Sequence, residues 1–529
     1  MEKREFLRSS DGVSMPTYGL LAALVAVSSI LAVYSVGERV DCVYGSIATS
    51  VDGGSGACIG SDPVAPPEGN HPPTITSTSL SDGQQMQAYS FTLAATDPDA
   101  DDTLTWSWAG GSGDPLPAGL DLDPETGEIT GTSPGGGTST VQITVTDSAG
   151  ATDVKSLSLH IVQMKLLADD GETNDGFGTV TVDGGRAAVG SGNSGQVYVF
   201  DIDSGDQLVK MTSDDWEIGD RIGGTGLAIS GNYVLAGADG DDDNGTDAGA
   251  AYVFNATTGE QLRKLKPSSG AANQWFGSSV AISGGYGVIG AYGDSTASLF
   301  EGAAYVFDLS TGQEIRKLTA SGTPDGKSFG GAVAADGGYA VIGADRARVG
   351  GVMTGAAYVF DIATGLEVVQ LVANDRAASD NFGMSVALSG NYAVVGADGD
   401  DDNGSGSGSA YVFDITTGAQ IWKLTASDGA ASDYFGSSVA VSGGYAVVGA
   451  FGTDDVGTYS GAAYVFDLAT GTQISKLTLD DAADGDRFGQ FVAINGSRVL
   501  VGSRGDDDRA SSAGSAAVFD LATGQQVTW

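Results

Sequence analysis

One phrase, Tyr-Val-Phe-Asp, returns seven times with small variations, at intervals of 53 or 54 residues. The copies start at Tyr198, Tyr252, Tyr305, Tyr358, Tyr411, Tyr464 and, with alanine for tyrosine, Ala517. A second phrase, Phe-Gly, keeps step at Phe177, Phe276, Phe329, Phe382, Phe435 and Phe488, and Ile222-Gly223 fills the remaining place. Self-similarity at a fixed period means an array of identical supersecondary units. It constrains residues 165–529 before any single residue is considered.

Each unit reads as four short strands. In the sixth, Gly436–Val441 alternates small and apolar residues, and Ser442-Gly443-Gly444 turns the chain. Tyr445–Ala450 is a continuous apolar run, as expected of a strand buried on both faces. A loop rich in Gly and Asp follows, then Ala462–Phe466, the turn Asp467–Gly471 and a fourth strand, Gln473–Leu479. Seven four-stranded units predict a seven-bladed β-propeller, whose radial packing leaves few exposed edges. Gly is 83 of 529 residues, which the repeat turns into evidence for tight turns and crowded strands. Lys165 stands 12 residues before Phe177, as Lys476 stands 12 before Phe488, and Trp529 aligns with that same lysine position. A fourth strand shared between residues 164–168 and the far end is therefore expected to clasp the ring. The units resemble FG-GAP repeats, known from integrin α-chains and bacterial surface proteins. Phe435-Gly436-Ser437-Ser438-Val439-Ala440 and Val448-Gly449-Ala450 carry the likeness. The integrin version holds calcium between its first two strands, where this chain has only a short turn.

The acid lies instead between the second and third strands. Asp239, Asp241, Asp243 and Asp247 fall in one such loop, and Asp398, Asp400 and Asp402 in another. Asp506-Asp507-Asp508 falls in the last. Alternating carboxylates followed by Gly suit a hard cation with six to eight oxygen ligands, so calcium is the expected cofactor. A solvated acidic rim is the competing reading. Asp175, Asp220, Asp380, Asp433 and Asp486, each two residues before the Phe-Gly position, belong to loops on the same face.

The N-terminus carries a different signal. Residues 1–11 include Lys3, Arg4 and Arg8, and Tyr18–Val36 is apolar without a charge, long enough for a transmembrane helix oriented N-inside. Tyr18-Gly-Leu-Leu-Ala-Ala-Leu-Val-Ala-Val and Gly37-Glu-Arg-Val-Asp-Cys-Val-Tyr-Gly resemble tight-adherence class IVb pilins. That resemblance implies a prepilin-like leader, 1–12, cleaved by prepilin peptidase between Gly12 and Val13, and a pilin-like helix over 13–51. It also implies pilus or pseudopilus subunits as partners, with the inner membrane holding the helix. Thr17 replaces the glutamate usual in that family, which favours a tip or pseudopilin role over the shaft. Residues 52–70 read as a flexible linker. Cys42 and Cys58, the two cysteines, suggest one disulfide in an oxidising compartment, with two free thiols as the alternative. Residues 71–162 alternate as a small β-sandwich. Leu116-Pro-Ala-Gly-Leu, Gly127-Glu-Ile-Thr-Gly-Thr and Val145-Thr-Asp-Ser-Ala-Gly resemble cadherin-like and Ig-like modules of bacterial surface proteins. Asp97-Pro-Asp-Ala-Asp-Asp offers a second place for calcium.

The fold expected is thus mainly β, a propeller over 163–529 and a sandwich, behind one N-terminal helix. A net charge of −43 with 24 basic residues excludes nucleic acid as a partner. His71 and His160 are the only histidines, so histidine-based acid–base or nucleophilic catalysis has no place in the repeats. The expectation is a non-enzymatic adhesin at the cell surface, binding an extracellular protein or polysaccharide. The alternatives are a surface-tethered enzyme, hydrolase or quinoprotein, and a display protein with no specific ligand. Thr417-Gly418-Ala-Gln-Ile-Trp422 resembles the tryptophan-docking motif of quinoprotein propellers, but occurs once. Arg504-Gly505-Asp506 spells an integrin-binding tripeptide and is expected to be incidental.

Overall fold

The computed structural model describes residues 70–529, apart from 86, 110–115, 118, 134–135, 164, 296–300 and 322–327. The leader, the pilin-like helix, the Gly12–Val13 junction, Cys42 and Cys58 lie outside the described residues. No helix among the described residues is long and apolar enough to cross a membrane.

Two units follow one another without a spacer. The first is a sandwich. Its four-stranded sheet contains Thr105–Ala109, Gly137–Thr146 and Thr152–Val162, and its three-stranded sheet contains Ala88–Thr92, Leu120–Leu122 and Glu128–Thr132. Alternate residues of both sheets meet in one core around Trp106, Ile129, Ile143, Val145 and Leu159. Strand Thr152–Val162 ends three residues before the short strand Lys165–Leu166, and the Lys165 amide donates to the Gln85 side chain at 3.0 Å.

The second unit is a propeller-like array of seven four-stranded antiparallel sheets. The sixth sheet shows the pattern: Ser438–Ser442, Tyr445–Ala450, Ala462–Asp467 and Thr472–Leu477 pair in that order. Each residue of the repeated phrase has a physical task. The tyrosine ring is fully buried in five copies and carries its hydroxyl towards the Asp-rich loop. The phenylalanine and that tyrosine both receive the edge of the Phe-Gly ring, as in Phe435 on Tyr464 (5.5 Å, 63°) and on Phe466 (5.8 Å, 79°). The aspartate caps the hairpin to the fourth strand. Asp414 Oδ1 accepts the Thr416 hydroxyl at 2.6 Å and the Thr416 and Thr417 amides at 2.8 and 3.0 Å, which holds its carboxyl below the usual range.

Glycines fix how sheets approach. A Cβ on Gly396, in the second strand of the fifth sheet, would lie 1.9 Å from the Gly436 carbonyl oxygen of the next. The equivalent glycine does the same in all seven sheets, at 1.7–2.1 Å, and Gly502 of the seventh faces Gly178 of the first. The Phe-Gly backbone of each sheet is thus seated on a glycine of its predecessor, and the contact runs round from last to first. Gly436 itself takes φ +92°, a region closed to most side chains.

The seventh sheet draws its outer strand from elsewhere. Lys165–Leu166 pairs with Ser515–Asp520, placing Lys165 opposite Ala517, as Lys476 lies opposite Tyr464. Trp529 does not take the lysine position. Residues beyond Val527 leave the sheet, and the Gln163 and Trp529 backbones exchange hydrogen bonds at 2.9 and 3.0 Å.

Candidate functional site

The loop following the second strand and the loop entering the first strand meet on one face, as expected. What they hold there is not an open set of carboxylates. From the fourth strand of the same sheet a lysine reaches into each acidic loop, lying over the tyrosine ring at 5.1–5.7 Å in five sheets. Lys264 Nζ is 2.6 Å from Asp241, 2.7 Å from Asp243 and 2.7 Å from Asp215. Lys423 Nζ is 3.0 Å from Asp400, 2.5 Å from Asp402 and 2.7 Å from Asp375. Asp239 and Asp247 are paired with Arg221 at 3.0 and 3.6 Å, and Asp398 accepts from Asn381 at 3.0 Å. The seven carboxylates read as calcium ligands are therefore committed to amines, a guanidinium or an amide. The oxygens of Asp375, Asp400 and Asp402 do converge within 4.8 Å, but on an ammonium, so this donor set does not fit a calcium ion while Lys423 is present.

The fourth sheet supports that reading. Ala347 stands where the second, third, fifth and seventh sheets have Asp241, Asp294, Asp400 and Asp506, and Gln370 stands opposite Tyr358 in place of lysine, donating to its hydroxyl at 3.2 Å. Acid and base are lost together, as expected if each exists to neutralise the other. In the seventh sheet Lys165, with its side chain only 3% exposed, contacts Asp481, Asp506 and Asp508 at 2.9, 2.7 and 2.6 Å. Burial alone would push this amine down, but the Asp506 and Asp481 charges outweigh it and hold it above its ordinary value. Asp506 is 2% exposed and also accepts from Ser515, so the Arg504-Gly505-Asp506 tripeptide is used inside the fold. Trp422 likewise docks on the neighbouring sheet, its indole N–H donating to the Leu468 carbonyl at 2.9 Å.

The aspartates two residues before Phe-Gly are turn caps. The Asp175, Asp220, Asp433 and Asp486 carboxylates accept the backbone amide three residues earlier at 2.7–2.9 Å, and Asp380 accepts that of Ala377. In the sandwich, Asp97, Asp99 and Asp102 draw together, with Asp99 accepting from the His71 amide and facing its ring at 3.1 Å.

These carboxylates set a pH dependence. Burial, then the Asp506 charge, raises Asp508 to about 6, and burial raises Asp486 to about 6 despite its Ala483 hydrogen bond. A folded value above the ordinary 3.8 adds stability at low pH that is lost as pH rises through about 6. Asp243 behaves oppositely: hydrogen bonds from Lys264 and Lys266 lower it to about 2, so its contribution is present above 3.8 and lost on acidification. The melting temperature should rise from pH 7.5 to a maximum at about pH 4–5 and fall below it. Calorimetry showing a steady fall between pH 7.5 and 5 contradicts this assignment.

A second constellation lies around a cavity lined by residues from all seven sheets. The residue before each Phe-Gly position adopts φ between 51° and 66° in all seven sheets, although six of them are not glycine: Arg221, Trp275, Ser328, Asn381, Tyr434 and Arg487. Left-handed backbone at bulky residues is uncommon and gathers at functional sites. One repeated turn imposes it: the carbonyl of each of these six accepts the amide three residues on, as Trp275 does from Ser278 and Tyr434 from Ser437. Each residue meets the one that follows the second strand of its own sheet. Arg221 pairs with Asp239 and Asn381 with Asp398. Trp275 stacks on Tyr292 (4.9 Å, 11°) and Tyr434 on Phe451 (5.2 Å, 8°). Asp345 lies between Ser328 and Arg346, and Arg504 carries its guanidinium over Phe491 at 5.9 Å. Burial raises the Asp239, Asp345 and Asp398 carboxyls above their ordinary value. The cavity enclosed is about 750 Å³.

Sequence reasoning identified Asp239 and Asp398 as metal ligands, whereas here they meet Arg221 and Asn381, and it missed Trp275, Tyr292, Tyr434 and Phe451. A signal was present: with the repeats in register, the residue before Phe-Gly changes in almost every unit, and the one after the second strand ranges over Asp, Tyr, Phe and Arg.

The FG-GAP repeat family model matches residues 206–254, 260–307, 313–360, 366–413, 419–466 and 472–519, more than half of the 529 residues. The chain belongs to that family. Each match runs from the fourth strand of one sheet to the third of the next. Residues 72–162 match the family described as "Putative Ig domain". FG-GAP repeats beside an Ig-like domain are the make-up of an extracellular binding or adhesion module. No curated protein matches the chain. Among solved structures, hydrazine synthase of Kuenenia stuttgartiensis is similar at 11% identity and TM-score 0.45, over 69% of this chain and 96% of that one.

Proposed function

We propose that this chain is a non-enzymatic binding protein of the cell surface or of a pilus. In this reading residues 13–51 are a pilin-like anchor in the inner membrane, processed by prepilin peptidase and docked among pilus or pseudopilus subunits. The Ig-like unit is a spacer, and the seven sheets form a closed seven-bladed propeller that offers its channel mouth to an extracellular protein or polysaccharide. The observation that carries it is the contrast between blades. The buried phrase and the seating glycines repeat almost unchanged, whereas the mouth presents Arg–Asp, Trp–Tyr, Ser–Asp, Asn–Asp, Tyr–Phe and Arg–Arg in turn. A rigid scaffold with diversity confined to one rim is how binding surfaces are built on repeats. The lysines of the fourth strands take the place of calcium as the cations of the acidic loops.

The test is genetic. Deleting residues 165–529 should abolish surface attachment of cells that still make pili. Unchanged attachment overturns the proposal.

A further inference from the structure

The geometry points to a neutral oligosaccharide as the ligand of the channel mouth; this rests on the surface-binding reading above. Five consecutive blades contribute, at one equivalent position, Asp239, Tyr292, Asp345, Asp398 and Phe451, all lining the same cavity. Two aromatic rings therefore stand in one arc with two carboxylates between them and a third, Asp239, beyond Tyr292. Each lining ring is fixed by a parallel neighbour, Trp275 or Tyr434, so its orientation is set before any ligand arrives. Flat, pre-oriented rings suit the C–H faces of pyranose rings, and the carboxylates between them can accept paired hydroxyls as charge-assisted hydrogen bonds.

Three further observations narrow the chemistry. The cavity, about 750 Å³, lies within the usual range for small-ligand sites and exceeds what one side chain would fill. Charge at the mouth is mixed, Arg221 pairing with Asp239 and Arg346 with Asp345, in a chain whose net charge is −43. Arginines oppose a cationic ligand and aspartates an anionic one. Lastly, two buried polar atoms that line the cavity have no partner: Ser278 Oγ, in a residue 8% exposed, and Gln490 Oε1. A buried donor and a buried acceptor left open are costly unless something supplies both, as a polyhydroxylated ligand does.

Titration calorimetry of the full chain decides it. The probes are neutral di- to tetrasaccharides of hexoses and N-acetylhexosamines, with uronic-acid and sulfated oligosaccharides and a mixed peptide library alongside. At least one neutral saccharide should bind, and Tyr292→Ala or Phe451→Ala should each weaken it about tenfold. Asp398→Asn, nearly isosteric, should weaken it severalfold at an unchanged melting temperature, which keeps the test valid if an aromatic variant misfolds. Binding confined to acidic saccharides or peptides, binding unaffected by all three variants, or no neutral saccharide bound overturns the inference. If any of these occurs while attachment is still lost on deleting residues 165–529, the saccharide assignment alone fails. Attachment that survives the deletion overturns the surface-binding reading itself.

Discussion

Lys165→Met should be among the most damaging single substitutions in the propeller, costing about 3–5 kcal/mol in denaturant unfolding, the range for breaking a buried ion pair from one side. Methionine keeps most of the volume, so the loss is electrostatic. It leaves Asp506, 2% exposed, and its neighbours Asp481 and Asp508 facing one another without a counter-charge. It also loosens the strand that joins the first sheet's chain to the last, since among the described residues that strand pairs only through Lys165 and Leu166. Millimolar calcium should leave the midpoint of the wild type unchanged, because the ammonium already neutralises these carboxylates. A variant as stable as the wild type would show that the three contacts contribute nothing, and a wild-type response to calcium would return the acidic loops to the metal.

Gly396→Ala should cost about 3 kcal/mol or more, at the upper end of overpacking effects. The added methyl would sit 1.9 Å from the Gly436 carbonyl oxygen, and backbone held by its hydrogen bond to Gly449 cannot step aside as a flexible side chain can. The fifth and sixth sheets would have to separate, and the strain would pass round the ring. Gly185→Ala is the control. It adds the same methyl at a glycine with nothing within 4 Å and should change stability by less than about 0.5 kcal/mol. Equal effects of the two substitutions, measured by urea unfolding, would remove the seating role assigned to the second-strand glycine.

The two predictions mark where the sequence was legible and where it was not. The phrase starting at Tyr464 and the Phe435-Gly436 pair announce a unit of four strands, because alternation and turn residues act within a few positions of one another. The shared outer strand was visible too, since Lys165 keeps the same distance from Phe177 as Lys476 does from Phe488. The partners of Asp241 and Asp400 were not read in advance. The lysines that neutralise them lie 23 residues downstream in a different strand, and nothing in an Asp-rich loop tells an ammonium from a metal ion.

By itself, then, the sequence determined the repeat and its strands and turns, because these follow from local periodicity. The tertiary structure alone decided what occupies the acidic loops and what the channel mouth presents. Lys165 meets Asp506 across 341 residues, and Tyr292, Asp345, Asp398 and Phe451 come together only because closing the array brings one position from each unit to a common axis. A pairing that depends on closure leaves no trace at the spacing of a strand or a turn, so it becomes visible only once the sheets are seated glycine on carbonyl.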